Sequence, residues 1–261
     1  MTSIDNLALD DHGSTDDRAP LVLLHGLTYD RTQWQPLLRE LDRIDPGRRV
    51  LAVDLPGHGE SPRSATYRSG AVVDAVHDAV TAAGLRAPVL VGHSLGAVLA
   101  TIYAARYPAR AVLNVDQPLR PGGFEGLVKQ VWPVLSGPDW RQIWDRLLGG
   151  MGIDQLPADA RELVRTRTTP RPDLLLGYWE EIMSSAAGQL AAQREHELRF
   201  IAEHDIAYVY VSGSEPDPAF TTWLTELVPS ARVEVLSGGG HFPHLAQPAE
   251  LARICSLVAV D

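Results

Sequence analysis

The chain carries one cysteine, Cys255. A lone thiol in an apolar stretch near the C-terminus excludes an intrachain disulfide and reads as a buried structural side chain. Long apolar runs are also missing, and no uncharged stretch approaches the ~20 residues that span a bilayer. The opening Met1-Thr2-Ser3-Ile4-Asp5 lacks the basic segment followed by an apolar run that marks a secretory signal. Positive charge is scarce: 23 Lys and Arg against 33 Asp and Glu leave a formal net charge of −10. An acidic surface argues against nucleic acid and anionic membranes as partners. No repeat or low-complexity tract is visible. No His, Cys and Asp cluster has metal-ligand spacing. Gly238-Gly239-Gly240 opens no βαβ unit, so it reads as a hinge rather than a nucleotide loop. What remains is the expectation of a cytoplasmic protein acting on a small molecule, with no cofactor or metal implied and its oligomeric state open.

With 261 residues, 45% of them apolar and 21% charged, the chain has the composition and length to bury a large core. The acidic first twenty residues suggest a leading hairpin with weak edges. Leu21-Val22-Leu23-Leu24 is a continuous apolar run of the kind buried on both faces of a parallel sheet. Helical spacing follows at Trp34, Leu37, Leu38 and Leu41. Val50 to Asp54 reads as a second strand, and Val72, Val73, Val76 and Val80 mark a helix ended by Gly84. Pro88-Val89-Leu90-Val91 is a third strand, running into Gly92-His93-Ser94-Leu95-Gly96 and an alanine-rich helix. Ala111 to Asp116 is a fourth. From Gln117 to about His204 strand-like runs stop, and the stretch is helical in period and carries Trp132, Trp140, Trp144 and Trp179. Alternation then resumes with Ile206 to Val211, a helix from Ala219 to Val228, a last strand at Val233 to Leu236, and a closing helix near Pro248. The fold class is therefore α/β, a doubly wound, mostly parallel sheet. Its core would comprise residues 1–116 and 205–261. A helical cap, 117–204, would be inserted after the strand that follows the helix behind Ser94, at the edge where such sheets bind ligands.

Gly92-His93-Ser94-Leu95-Gly96 at a strand-to-helix turn is the G-x-S-x-G pattern that raises a serine clear of its backbone. Serine is a weak nucleophile at neutral pH and needs a base, an acid to orient that base, and donors for the oxyanion. His241, directly after three glycines, is the base; His244 lies three residues on, at the entry to the last helix. The amides of Leu27 and Leu95 are the oxyanion donors. His25, His58 and His93 read as packing or loop-bracing residues. Arg120, Arg165 and Arg167 could face the pocket, though solvated positions are the safer reading. The four tryptophans suggest an apolar lid over a hydrophobic or aromatic substrate.

His25-Gly26, Asp54-Leu55-Pro56-Gly57-His58-Gly59, the serine pentapeptide and Gly240-His241-Phe242-Pro243 together resemble the α/β-hydrolase superfamily, in its cap-bearing branch. That branch holds esterases, lactonases, C–C bond hydrolases and cofactor-free haloperoxidases. The resemblance implies an esterase-like carboxylic ester hydrolase with a Ser-His-acid catalytic triad, acting on an ester, lactone or related acyl bond. Its usual Gly-x-x-Asp acid motif is displaced, because Gly213-Ser214-Glu215-Pro216-Asp217 puts Pro216 where the acid belongs. Asp116 is then the first choice for the acid, as in members that place it after this strand, with Asp217 and Glu215 as alternatives. Two further functions fit the resemblance: a cofactor-free ring-cleaving dioxygenase using the His/Asp pair as base, and a non-catalytic ligand-binding homologue.

Overall fold

Each apolar run named above lies in one sheet of the protein, for which a computed structural model describes residues 7–14 and 16–258. Among these residues the strands are β1 (Leu9–His12), β2 (Leu21–Leu24), β3 (Val50–Val53), β4 (Val89–His93), β5 (Ala111–Val115), β6 (Ala207–Ser212) and β7 (Arg232–Val235). Their order across the sheet is β1-β3-β2-β4-β5-β6-β7. β1 runs antiparallel to β3, and all other neighbours are parallel. The leading hairpin expected over residues 1–20 falls partly outside the described residues, which hold one strand of that stretch, β1. Leu9 pairs with Val53, so β1 joins the sheet through β3, because both sides of β2 are already taken by β3 and β4.

The helices are α1 (Gln35–Ile44), α2 (Ser69–Ala82), α3 (Leu95–Ala104), α4 (Gly122–Leu135), α5 (Trp140–Gly149), α6 (Ala158–Thr166), α7 (Pro172–Ser184), α8 (Gln189–Glu203), α9 (Pro218–Leu227), α10 (Pro243–Ala246) and α11 (Pro248–Val258). Strand side chains alternate between the two faces. Leu21, Leu23, Val89 and Val91 pack with Leu37 and Leu41 of α1 and Leu251 and Ile254 of α11. Val22, Leu24 and Leu90 pack with Val72 and Val76 of α2, Leu99 of α3 and Leu198 of α8. The central strands are buried on both sides, at about 1.5–3 kcal/mol for each large apolar side chain. Cys255 is buried in the first of these layers, and burial pushes its thiol up to about 12.

Between β5 and β6 the regular structure is helical, α4 to α8 with one short 3-10 turn. α4 packs on α5 and α7, whereas α8 lies against α3, α9 and β6 and so belongs to a layer covering the sheet. α6 makes a separate apolar contact: Ala160 and Val164 meet Tyr29, Phe242 and Leu245. No helix among the described residues is long and apolar enough to cross a membrane.

Candidate active site

Ser94 stands between the last residue of β4 and the first of α3, with φ 52° and ψ −117°. A non-glycine residue held there stores about 1–3 kcal/mol of strain, which the surrounding packing must hold in place. The Ser94 amide donates to the Val115 carbonyl at 3.1 Å, and the Ser94 carbonyl accepts from the Ala97 amide at 2.9 Å. The flanking glycines are required by space. A Cβ on Gly92 would sit 2.2 Å from the Gly96 carbonyl oxygen, and one on Gly96 would sit 2.1 Å from that of Leu24. The second approach also brings the end of β2, and with it the loop carrying Leu27, against the serine turn.

His241 is held at three points. Its Nδ1 donates to Asp116 Oδ2 at 2.9 Å, its amide to the Met151 carbonyl at 3.0 Å, and its carbonyl accepts from His93 Nε2 at 2.7 Å. With Nδ1 protonated toward the carboxylate, Nε2 is left with its lone pair, as a base requires. Asp116 follows β5 with φ 56°. Its amide donates to the Val211 carbonyl at 2.7 Å, and its Oδ1 accepts from the Gly213 amide at 3.0 Å and from Ser212 Oγ at 3.3 Å. Gly213 must be glycine here, since a Cβ would lie 1.7 Å from the Gly240 carbonyl oxygen. Of the three carboxylates considered, only Asp116 meets His241. Glu215 and Asp217 are exposed, and Asp217 caps α9 by accepting from the Ala219 amide at 2.9 Å. The displaced motif thus supplies turn and cap residues, while its glycine amide holds Asp116 from the neighbouring strand.

The other histidines brace loops. His25 Nδ1 donates to the Gly26 carbonyl at 2.8 Å, and its Nε2 accepts from the Leu55 amide at 2.9 Å. His58 repays the contact: its Nε2 accepts from the Thr28 amide at 3.0 Å, and its Nδ1 donates to the Pro56 carbonyl at 3.1 Å. Desolvation lowers the pKa of both rings, so both are neutral struts tying the Leu27 loop to the loop after β3. Burial likewise holds His93 well below the usual histidine range, and His244 is pushed down to about 3. Neither the Leu27 nor the Leu95 amide donates to another backbone group among the described residues. Leu95 opens α3, where helix amides have no internal partner.

Ser94, His241, Asp116, Leu27 and Leu95 all line one cavity of about 740 Å³. Trp144 and Trp179 line it as well, together with Phe124, Leu147 and Ile182 from the helices above the sheet edge. Trp132 and Trp140 instead pack against the main apolar core. Arg120 lines the cavity and sits 5.8 Å from the Trp223 ring. Arg165 and Arg167 do not; both are exposed, and Arg165 pairs with Asp154. Sequence reasoning missed Tyr29, Ser69, Glu181 and Arg194, which also line the cavity. Tyr29 had a weak signal, two residues beyond Leu27, whereas the other three sit among ordinary helix polar residues. No group of three or more His, Cys, Asp or Glu among the described residues could hold a metal ion.

A model of the alpha/beta hydrolase family matches residues 21–254. The chain is 28% identical over 250 residues to the biotin biosynthesis bifunctional protein BioHC of Cellvibrio japonicus, a match that covers 90% of this chain but only 46% of that protein. It is 26% identical over 239 residues to Lipase 1 of Psychrobacter immobilis, covering 86% of this chain and 71% of the lipase. Among solved structures it resembles one determined for recognition and ring-cleavage of the Pseudomonas quinolone signal, with a TM-score of 0.80, 18% identity and coverage of 100% of this chain and 99% of that one.

Proposed function

The chain belongs to the alpha/beta hydrolase family, and we propose that within it the protein is a serine hydrolase cleaving an ester, lactone or related acyl bond of a small, largely apolar molecule. The observation that carries this reading is the Asp116–His241 hydrogen bond, formed in the same cavity that the strained Ser94 lines. Similarity to a lipase agrees with it. In the proposed reaction His241 Nε2 takes the Ser94 proton as Oγ attacks the carbonyl carbon. The carbonyl electrons move onto oxygen, where the Leu27 and Leu95 amides stabilise the charge. Collapse expels the alcohol, which takes the proton from His241, and leaves an acyl-serine. Water, deprotonated by the same histidine, then releases the acid and restores Ser94. Asp116 holds the ring in the tautomer that works and stabilises the imidazolium.

Labelling with a fluorophosphonate probe tests the nucleophile. Wild-type protein is expected to be labelled at Ser94, and Ser94→Ala to be unlabelled. A folded wild type that stays unlabelled overturns serine catalysis. One observation favours a second reading. Asp116 stands after the strand that follows the serine helix, and the ring-cleavage structure shares the fold over the whole chain. In that reading His241 would deprotonate a hydroxylated ring that then reacts with oxygen. Oxygen uptake that survives Ser94→Ala would establish it in place of hydrolysis.

A further inference from the structure

Apart from Ser94, His241 and Asp116, the charged side chains lining the cavity are Arg120, which lies against the Trp223 ring, and Arg194 with Glu181, and none of the proposed catalytic steps uses them. Arg194 of α8 lines the cavity, is 9% exposed, and spends one of its five N–H donors on Glu197, with Nη2 donating to Oε1 at 2.7 Å. Its buried Nε has no hydrogen-bond partner among the described residues, and no hydrogen bond is formed by Nη1. Glu181 of α7 lines the same cavity. One of its oxygens, Oε2, accepts from the Ser69 hydroxyl at 2.7 Å and the Ser69 amide at 3.2 Å at the start of α2; Oε1 accepts from no described residue. A guanidinium with idle donors and a carboxylate with an idle acceptor therefore face a cavity that is otherwise mostly apolar. The unmade bond of the buried Arg194 Nε is costly, so a ligand that completes it is selected strongly, while the half-buried Glu181 offers an acceptor beside it.

We propose that this cluster is a specificity site that takes a neutral hydrogen-bonding group, such as a primary amide, carried by the substrate away from its scissile bond, with Arg194 donating to its oxygen and Glu181 accepting from its N–H. Charge decides for a neutral group. The positive charge of Arg194 is already paired with Glu197 at 2.7 Å, and the Glu181 carboxylate lines the same cavity. A carboxylate would enter against that balance, and an alkyl end would leave the donors unmade.

This rests on the hydrolase reading, and the test separates the two. p-Nitrophenyl esters of linear acids over a range of acyl lengths would be compared with the far end a primary amide, its isopropyl isostere or a carboxylate. At the best length the amide is expected to exceed both others in kcat/KM by about tenfold or more. Arg194→Met combined with Glu197→Leu removes the pair without stranding a buried charge, and thermal melting checks that the variant folds. In it the advantage of the amide is expected to fall to about twofold or less. The proposal is overturned if the isopropyl ester is preferred at every length, if the carboxylate is best, or if the amide preference survives in the double variant. Should no ester be turned over, the hydrolase reading fails separately. Calorimetric binding of the matching non-hydrolysable ketones, amide-ended and isopropyl-ended, then decides the specificity site on its own: amide preference lost in the double variant supports it, and equal affinity overturns it.

Discussion

Both carboxylate oxygens of Asp116 are engaged, Oδ2 by His241 Nδ1 at 2.9 Å and Oδ1 by the Gly213 amide at 3.0 Å. Asn in its place cannot accept at both. Keeping its oxygen toward Gly213 turns the amide nitrogen toward His241, which must then carry its proton on Nε2 and lose its role as base. Asp116→Asn is expected to lower kcat about 10³–10⁴-fold on an ester substrate with little change in KM. Glu215→Gln should stay within about twofold, since that side chain is exposed and makes no contact with His241. Asp217→Asn should do the same for activity and lower stability by at most about 1 kcal/mol, through its α9 cap. Steady-state kinetics on the three variants checks the assignment. A large loss in Glu215→Gln or Asp217→Asn would move the acid to the displaced motif.

At the scale of elements, loops after β2 and β3 hold one another through His25 and His58, each ring reaching a backbone amide thirty residues away. His58→Ala removes the acceptor for the buried Thr28 amide, next to Leu27. It should cost about 1–3 kcal/mol in urea denaturation and slow fluorophosphonate labelling, because the proposed oxyanion amide is no longer fixed. Unchanged labelling in a destabilised protein would confine His58 to a structural part. Elements differ in how openly the sequence declares them. β2 to β6 were readable because strands buried on both faces require unbroken apolar runs, and the serine turn because Gly92 and Gly96 admit no Cβ. β1 was not, since Leu9-Asp10-Asp11-His12 is half-exposed and owes its pairing to the free edge of β3. Loop position singled out His241, Leu27 and Leu95, and the proline at position 216 singled out Asp116; all four line one cavity, where Asp116 bonds His241. Arg194 was hidden among Gln193, Glu195 and His196, because one inward turn of a polar helix leaves no periodic mark.

The whole molecule gathers four buried histidines close to its candidate site: His25, His58, His93 and His244. Desolvation keeps all four neutral in the folded protein, and His244 is pushed down to about 3. Once unfolded, each imidazole titrates near 6.5. Below that pH the unfolded chain binds more protons than the folded one, so their contribution to stability is full above about 6.5 and is lost as the pH falls. Glu197 works in the opposite sense. Its folded carboxyl, up at about 7, keeps a proton that the unfolded chain releases near 4.5, so its contribution is present at low pH and lost as the pH rises through that interval. The histidines outnumber it, and the net expectation is a Tm that is nearly flat above pH 7 and drops steeply below about pH 6. His244 isolates the cause, because neither of its ring nitrogens bonds a described residue and a variant there breaks no named hydrogen bond. His244→Leu should make the acid limb shallower by up to one proton, about 1.4 kcal/mol per pH unit. Melting curves of both proteins from pH 8 to about pH 5 measure that difference in slope. Parallel acid limbs would assign the acid sensitivity to carboxylate pairs instead of the buried imidazoles.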